Sequence, residues 1–283
     1  MKPLDKRLAR FGLSANPFTP ATPPAFCHLT PEMQHVLSRC QHLVGQGGFA
    51  LITGETGTGK STLLRCLHAR LQERDELVLG VLSRPQASLA DFYRELGALF
   101  GVTLTPHNRW AGAQVLRERW STHWGTTNLR PVLFLDEAQD MRVAVLNELR
   151  LLTTAALDTD ALLTVFLAGD QRLVEQFQTP ELLPLASRLR IQYRTGPAKP
   201  EELRLVLDHL LAQAGNRKLM TDGLKATCVE HACGNRRVLI HLGAELLDAA
   251  LEDHDCESLD EQLFTRVVRP QQAPGALRSK KSA

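Results

Sequence analysis

The sequence contains no apolar run near the ~18 residues that a membrane-spanning helix needs. Its longest apolar stretches, such as Leu162–Ala168, are strand-sized and carry a Thr at position 164. The basic N-terminus, MKPLDKRLARFGL, lacks the apolar core of a secretory leader. Both absences predict a cytoplasmic protein with no membrane insertion. The six cysteines, Cys27, Cys40, Cys66, Cys228, Cys233 and Cys256, form no C-x-x-C pair. A zinc site therefore lacks its usual spacing, and reduced, packed thiols are the expectation in a chain long enough to build its own core. The ten histidines show no ligand spacing, and no internal repeat is present. A large excess of one charge is also missing: 33 Lys and Arg stand against 31 Asp and Glu, which excludes a polycation. Acidic residues are scarce only locally. None follows Glu261, where Arg266, Arg269, Arg278, Lys280 and Lys281 remain, and between Glu95 and Asp136 only Glu118 faces Arg109, Arg117, Arg119 and Arg130. Such stretches suit a polyanion partner.

What is present is an ordinary globular composition and one unusual glycine cluster. LITGETGTGKSTLLRCL, residues 51–67, places three glycines between an apolar run and a lysine. A helix is weakened by glycine, so this segment is expected to let something approach its backbone. Gly54, Glu55, Thr56, Gly57, Thr58, Gly59, Lys60 and Ser61 fit G-x-x-x-x-G-K-[ST], between a strand signal and a helix signal. Glycines let successive N–H groups turn around a phosphate, and the helix start at Lys60 aims its positive end at the anion. Lys60 supplies a point charge to the outer phosphates, and Ser61 a hydroxyl for Mg²⁺. ATP with Mg²⁺ is the expected occupant.

The rest of the chain alternates. Apolar runs at 49–53, 77–82, 131–136, 162–169 and 188–193 read as strands, with helical periods between them. The expected fold class is α/β: a five-stranded parallel sheet with helices on both faces. After residue 197 only helical periods remain, predicting a small helical domain over 197–268. Residues 1–30, with Pro17, Pro20, Pro23 and Pro24, read as an extended lead-in. Residues 31–196 form the nucleotide-binding domain, and 269–283 a disordered basic tail.

VLFLDEAQD carries Asp136 to the C-terminal end of a buried strand, where ligands of open α/β sheets collect. Asp136 can hold magnesium through water, and Glu137 can polarise a water for attack on the γ-phosphate. One strand signal, 77–82, intervenes between Lys60 and Asp136, as in nucleotide hydrolases with an added central strand. Asp170, after FLAG, is either a polar group beside the attacking water or the N-cap of the next helix. Arg188 and Arg190 flank the start of the fifth strand. Arg236 and Arg237 open a helix of the second domain. Trp120 and Trp124, at i, i+4 spacing, read as core more than as base-stacking residues.

The order of these motifs resembles the AAA+ ATPases, and among them the ExeA-like group typified by general secretion pathway protein A. The matching stretches are FGLSANPF, LITGETGTGKSTLLR, LFLDEAQDM, LNELRLL, TVFLAGDQRL, LASRLRIQYR and GNRRVLIHL, spread over about residues 10–268. The resemblance implies that residues Gly54 to Thr62 bind phosphate and that Asp136 and Glu137 serve magnesium and water. It implies Arg188 as an arginine finger acting on a neighbouring subunit and Arg237 as a lid arginine that senses nucleotide. The family usually has Gln or Asn where this chain has Asp170, which bears on hydrolysis rate. Secretion members carry a membrane segment and a further domain after the ATPase. This chain is instead similar in size to stand-alone regulators encoded beside DDE-type transposases (MuB-, TniB- or TnsC-like). The implied activity is ATP hydrolysis by a homo-oligomer, ring or helical filament, that binds double-stranded DNA and recruits or activates a transposase. Arg109, Arg117 and Arg119 are the candidate DNA contacts. A secretion or envelope ATPase, and an ATP-binding scaffold with little hydrolysis, are the alternatives.

Overall fold

A computed structural model describes residues 6–19, 22–83, 85–103, 109–127, 129–155, 160–253 and 258–268. The tail expected at 269–283 lies outside them. The chain divides into two compact units, one formed by residues 29–197 and the other by residues 1–28 with 198–283.

The first unit is built on five parallel strands: β1 (Gly48–Gly54), β2 (Leu77–Leu82), β3 (Arg130–Leu135), β4 (Thr164–Gly169) and β5 (Leu189–Thr195). Their spatial order is β2-β3-β4-β1-β5. β4 is therefore the strand interposed between the glycine-rich segment and the strand that ends at Asp136. The sequence patterns follow from this order. β1 and β4 are flanked on both sides and buried throughout, so they read as unbroken apolar runs. β5 is an edge strand whose residues LRIQYRT alternate between polar and apolar. β2, the other edge, leaves Val81 half exposed.

Helices α2 (Pro31–Val44), α3 (Lys60–Gln72), α4 (Leu89–Phe100), α5 (Arg109–Thr127), α6 (Val143–Thr153), α7 (Gln171–Phe177) and α8 (Leu183–Ala186) complete this unit. Start signals operate as their chemistry requires. The Thr30 hydroxyl accepts from Met33 N–H at 3.3 Å, with Pro31 at the first helical position. α6 stops at Thr153, where Thr154–Ala155 pair antiparallel with Asp160–Ala161. The core holds Phe49, Leu51, Leu133, Leu135, Val165 and Leu167 from the sheet. Trp120 of α5 is buried with them, edge-on to Phe100 at 5.3 Å, as its spacing predicted.

The second unit contains α9 (Pro200–Ala214), α10 (Asp222–Ala232), α11 (Arg236–Glu252) and α12 (Glu261–Val268), and also α1 (Lys6–Arg10). The extended lead-in is thus corrected: residues 6–10 are helical, Pro24–Phe26 form a 3₁₀ turn, and the segment belongs to the helical unit. Leu8, Phe11, Leu13 and Phe18 sit in its core. Burying each such side chain stabilises by about 1.5–3 kcal/mol, which outweighs the extended bias of the nearby prolines. FGLSANPF is fixed there by polar groups as well. Ser14 N–H and its hydroxyl both donate to the Ala214 carbonyl, at 2.7 and 3.0 Å, and Asn216 Nδ2 donates to the Phe11 carbonyl at 2.8 Å. Gly243 leaves room for Phe18, whose ring would lie 2.6 Å from any added Cβ.

Candidate nucleotide-binding site

Parallel pairing brings three loops to one end of the sheet. Thr53 of β1 pairs with Gly169 of β4, and Leu135 of β3 with Leu167 of β4, so Gly54, Asp170 and Asp136 leave the sheet along the same edge. Gly54 must be glycine: an added Cβ would stand 2.1 Å from Thr195 Oγ1 and 2.5 Å from the Thr195 carbonyl. Gly59, at φ 105° on the N-terminal edge of α3, turns the loop into the helix by a left-handed conformation that glycine alone takes at no steric cost. Between them, Thr58 Oγ1 donates to the Glu55 carbonyl at 2.7 Å and lies 2.6 Å from Thr195 Oγ1, which donates in turn to the Thr53 carbonyl at 3.1 Å.

Lys60 is only 6% exposed. Its ammonium donates to the carbonyls of Gly54 and Glu55, both at 2.9 Å. Among the described residues no carboxylate makes an ion pair with it. A buried ammonium without a counter-ion is costly, and the first N–H groups of α3 have no partners within the helix. Both features favour an anion at this loop. The residues fit a nucleotide's phosphates.

The acidic side is built by a sharp turn. Asp136, half-buried, accepts Glu137 N–H on Oδ1 at 3.0 Å, and Glu137 adopts a left-handed φ of 52°. Glu137 is exposed and caps a 3₁₀ turn over Ala138–Asp140. Gln139 Nε2 donates to Glu137 Oε2 at 2.6 Å, and Gln139 Oε1 accepts Asp170 N–H at 3.1 Å. Asp170 is the N-cap of α7: Oδ1 accepts Arg172 N–H at 2.9 Å, and Oδ2 accepts the Arg172 guanidinium at 2.9 and 2.8 Å. Burial pushes the Asp170 carboxyl up, but the Arg172 hydrogen bonds, with the charges of Arg172 and Lys60, hold it below the usual carboxylate value. The same contacts raise the Arg172 guanidinium, first through Asp170, then through Asp140 and Glu137. Of the two roles expected for Asp170, the cap is the one this geometry displays.

Residues 41–177 match a family model described as AAA domain. Residues 41–177 thus carry an AAA domain. Over a longer span the chain is similar to general secretion pathway protein A of Aeromonas hydrophila, with 32% identity over 210 residues. The match takes in 72% of this chain and 37% of that protein, so the chain spans less than two fifths of its relative's length. Solved structures share the fold. The ORC2 protein of Aeropyrum pernix, in ADPNP and ADP complexes, superposes with a TM-score of 0.69 at 17% identity, covering 90% of this chain and 71% of that one. The ORC1 protein of the same organism, in complex with DNA, gives a TM-score of 0.69 at 16% identity, covering 90% and 68%.

The remaining predicted residues fall into three groups. Ser61 and Thr62 occupy the first turn of α3, half-buried, and Thr56 is exposed on the loop. Arg188 lies between α8 and β5, its guanidinium donating to the Pro184 carbonyl at 3.3 Å. Arg237 is exposed at the start of α11 in the helical unit, where its N–H donates to the Asn235 cap at 2.9 Å. The third group is the set of arginines expected to meet DNA. Arg117 is half-buried, and its guanidinium donates to the Leu151 carbonyl in the last turn of α6. Arg119 is exposed, and the Arg109 side chain lies outside the described residues.

Sequence reasoning missed Gln139 and Thr195. No spacing rule signals a lone amide or hydroxyl. The one available hint was the glycine before Asp170: a Cβ at Gly169 would lie 2.8 Å from Gln139 Oε1.

Proposed function

We propose that the chain is an ATP-switched assembly protein that gathers on duplex DNA and directs a DDE-type transposase to its target. The observation that carries the nucleotide part is the buried Lys60 ammonium at the head of α3, which donates to the Gly54 and Glu55 carbonyls and, among the described residues, makes no ion pair with a carboxylate. Gly54 to Thr62 and Lys60 hold the phosphates. Ser61 and Asp136 are oxygen donors suited to a hard cation and would hold Mg²⁺, which when bound offsets phosphate charge. The Glu137 carboxylate accepts a proton from the attacking water. Arg188 acts on the site of an adjacent subunit in a ring or filament, where a guanidinium stabilises charge spreading over the transferring phosphoryl group. Hydrolysis dissolves the assembly.

The basic stretches around Arg119 and beyond Glu261, and a relative in fold whose structure contains DNA, support the nucleic-acid part. The test is retention on duplex DNA with ATP across a salt series. Affinity falling linearly with salt on logarithmic axes, and lost without ATP, is the expected result. Absence of retention at low salt overturns the DNA reading.

A second reading is favoured by the 32% identity to general secretion pathway protein A: an ATPase serving an envelope complex. ATP-dependent assembly without DNA retention is its signature.

A further inference from the structure

Gln139 is buried, 5% exposed, and both ends of its side-chain amide are committed. Nε2 donates to Glu137 Oε2 at 2.6 Å, a charge-assisted hydrogen bond of the strong class. Oε1 accepts the Asp170 N–H at 3.1 Å, and the Gln139 backbone carbonyl accepts Gln176 Nε2 at 3.0 Å. Asp170 and Gln176 lie at the start and near the end of α7. Among the described residues, Gln139 is the only hydrogen-bond donor to the Glu137 carboxylate. That carboxylate is otherwise exposed, on a residue held at a left-handed φ of 52°. Space for the amide is reserved by Gly169, whose added Cβ would meet Gln139 Oε1 at 2.8 Å and Leu173 Cδ2 at 2.7 Å.

We propose that Gln139 is a positioning residue for hydrolysis: its amide fixes the Glu137 carboxylate and ties it to α7. This rests on Glu137 being the group that takes the proton from water. The chemistry of residue 139 then matters in a specific way. An amide both donates to Glu137 and accepts from Asp170. Glu at this position keeps the shape and the acceptor but sets a second carboxylate against Glu137. Met keeps most of the volume and loses both bonds. Because α7 holds the amide at one end and the backbone carbonyl at the other, the orientation of Glu137 follows the position of α7.

The experiment compares wild type, Gln139→Glu, Gln139→Met and Glu137→Gln in ATP turnover, in affinity for a fluorescent ATP analogue, and in thermal melting. Both Gln139 variants are expected to lose kcat by about tenfold or more, while analogue affinity stays within about twofold, because misplacing a reacting group is felt in the chemical step. Gln139→Glu, which keeps the shape, decides the matter if Gln139→Met fails to fold. Turnover near wild type in Gln139→Glu overturns the inference, as does a loss of kcat matched by an equal loss of affinity. Arrested turnover in Glu137→Gln beside normal turnover in the Gln139 variants refutes the link alone. Normal turnover in Glu137→Gln removes the base assignment, and the inference with it.

Discussion

The hydroxyls of Thr58 and Thr195 lie 2.6 Å apart, joining the middle of the phosphate loop to the last residue of β5. Thr195 is 3% exposed, and its hydroxyl also reaches the Thr53 carbonyl. One side chain therefore braces the loop from both ends of its turn. Thr195→Val, nearly the same shape, strands buried polar atoms and is expected to cost about 1–3 kcal/mol. Thr195→Ser should be close to neutral. Chemical denaturation with and without ATP analogue measures both; equal stability in the Val variant would refute the brace.

Lys60→Ala should lose nucleotide binding without losing the fold. In wild type, a nucleotide that binds only the native state at 100 times its Kd adds about 2.7 kcal/mol. The variant should show no ATP-dependent rise in melting temperature. An ATP-dependent rise that persists would show that the phosphates bind elsewhere.

Asp170 gives a pH dependence with a definite sign. Its folded-state carboxyl lies below the ordinary value, chiefly because the Arg172 contacts outweigh burial. Its ionised form therefore stabilises the native state above the ordinary carboxylate range, and that contribution is lost as pH falls through the depressed folded value. Asp170→Asn keeps a side-chain oxygen for the cap but removes the charge opposite Arg172. Its melting temperature should approach that of wild type as pH drops below about 4. Asp170→Ala also removes the cap and should cost about 1 kcal/mol more at neutral pH. Melting curves from neutral to acid pH check both.

Arg188→Ala should bind nucleotide normally and hydrolyse poorly. Mixing it with Lys60→Ala, which binds no nucleotide but still carries Arg188, should restore turnover above that of either protein alone. Titration of one variant into the other reads this directly. If no mixture recovers activity, Arg188 does not act between subunits.

Much of this protein was legible as a pattern of residues. The apolar runs of β1, β3 and β4 announced buried parallel strands because a strand covered on both faces is apolar at nearly every position, with only the buried hydroxyls of Thr53 and Thr164 interrupting β1 and β4. GETGTGKS suggested an anion site because its spacing states a backbone requirement, and at Gly54 the close approach of Thr195 leaves no room for a Cβ. The lead-in was misread as extended. Its prolines are local and visible, whereas the value of Phe11, Leu13 and Phe18 depends on a core supplied by helices some 200 residues away in sequence. Asp170 could be a cap or a catalytic group from its position alone; only the direction of Arg172 separates the two.

The amino-acid order by itself determined the alternation of strands and helices, the phosphate loop and the carboxylates that follow β3. These rest on local periodicity and backbone sterics, which need no distant partner. The tertiary structure alone decided that β4 lies between β1 and β3, that Thr195 braces the loop, and that Gln139 holds Glu137 against α7. Each of those depends on groups brought together by strand pairing and side-chain packing, and a hydrogen bond between residues far apart in sequence leaves no period in the chain to read.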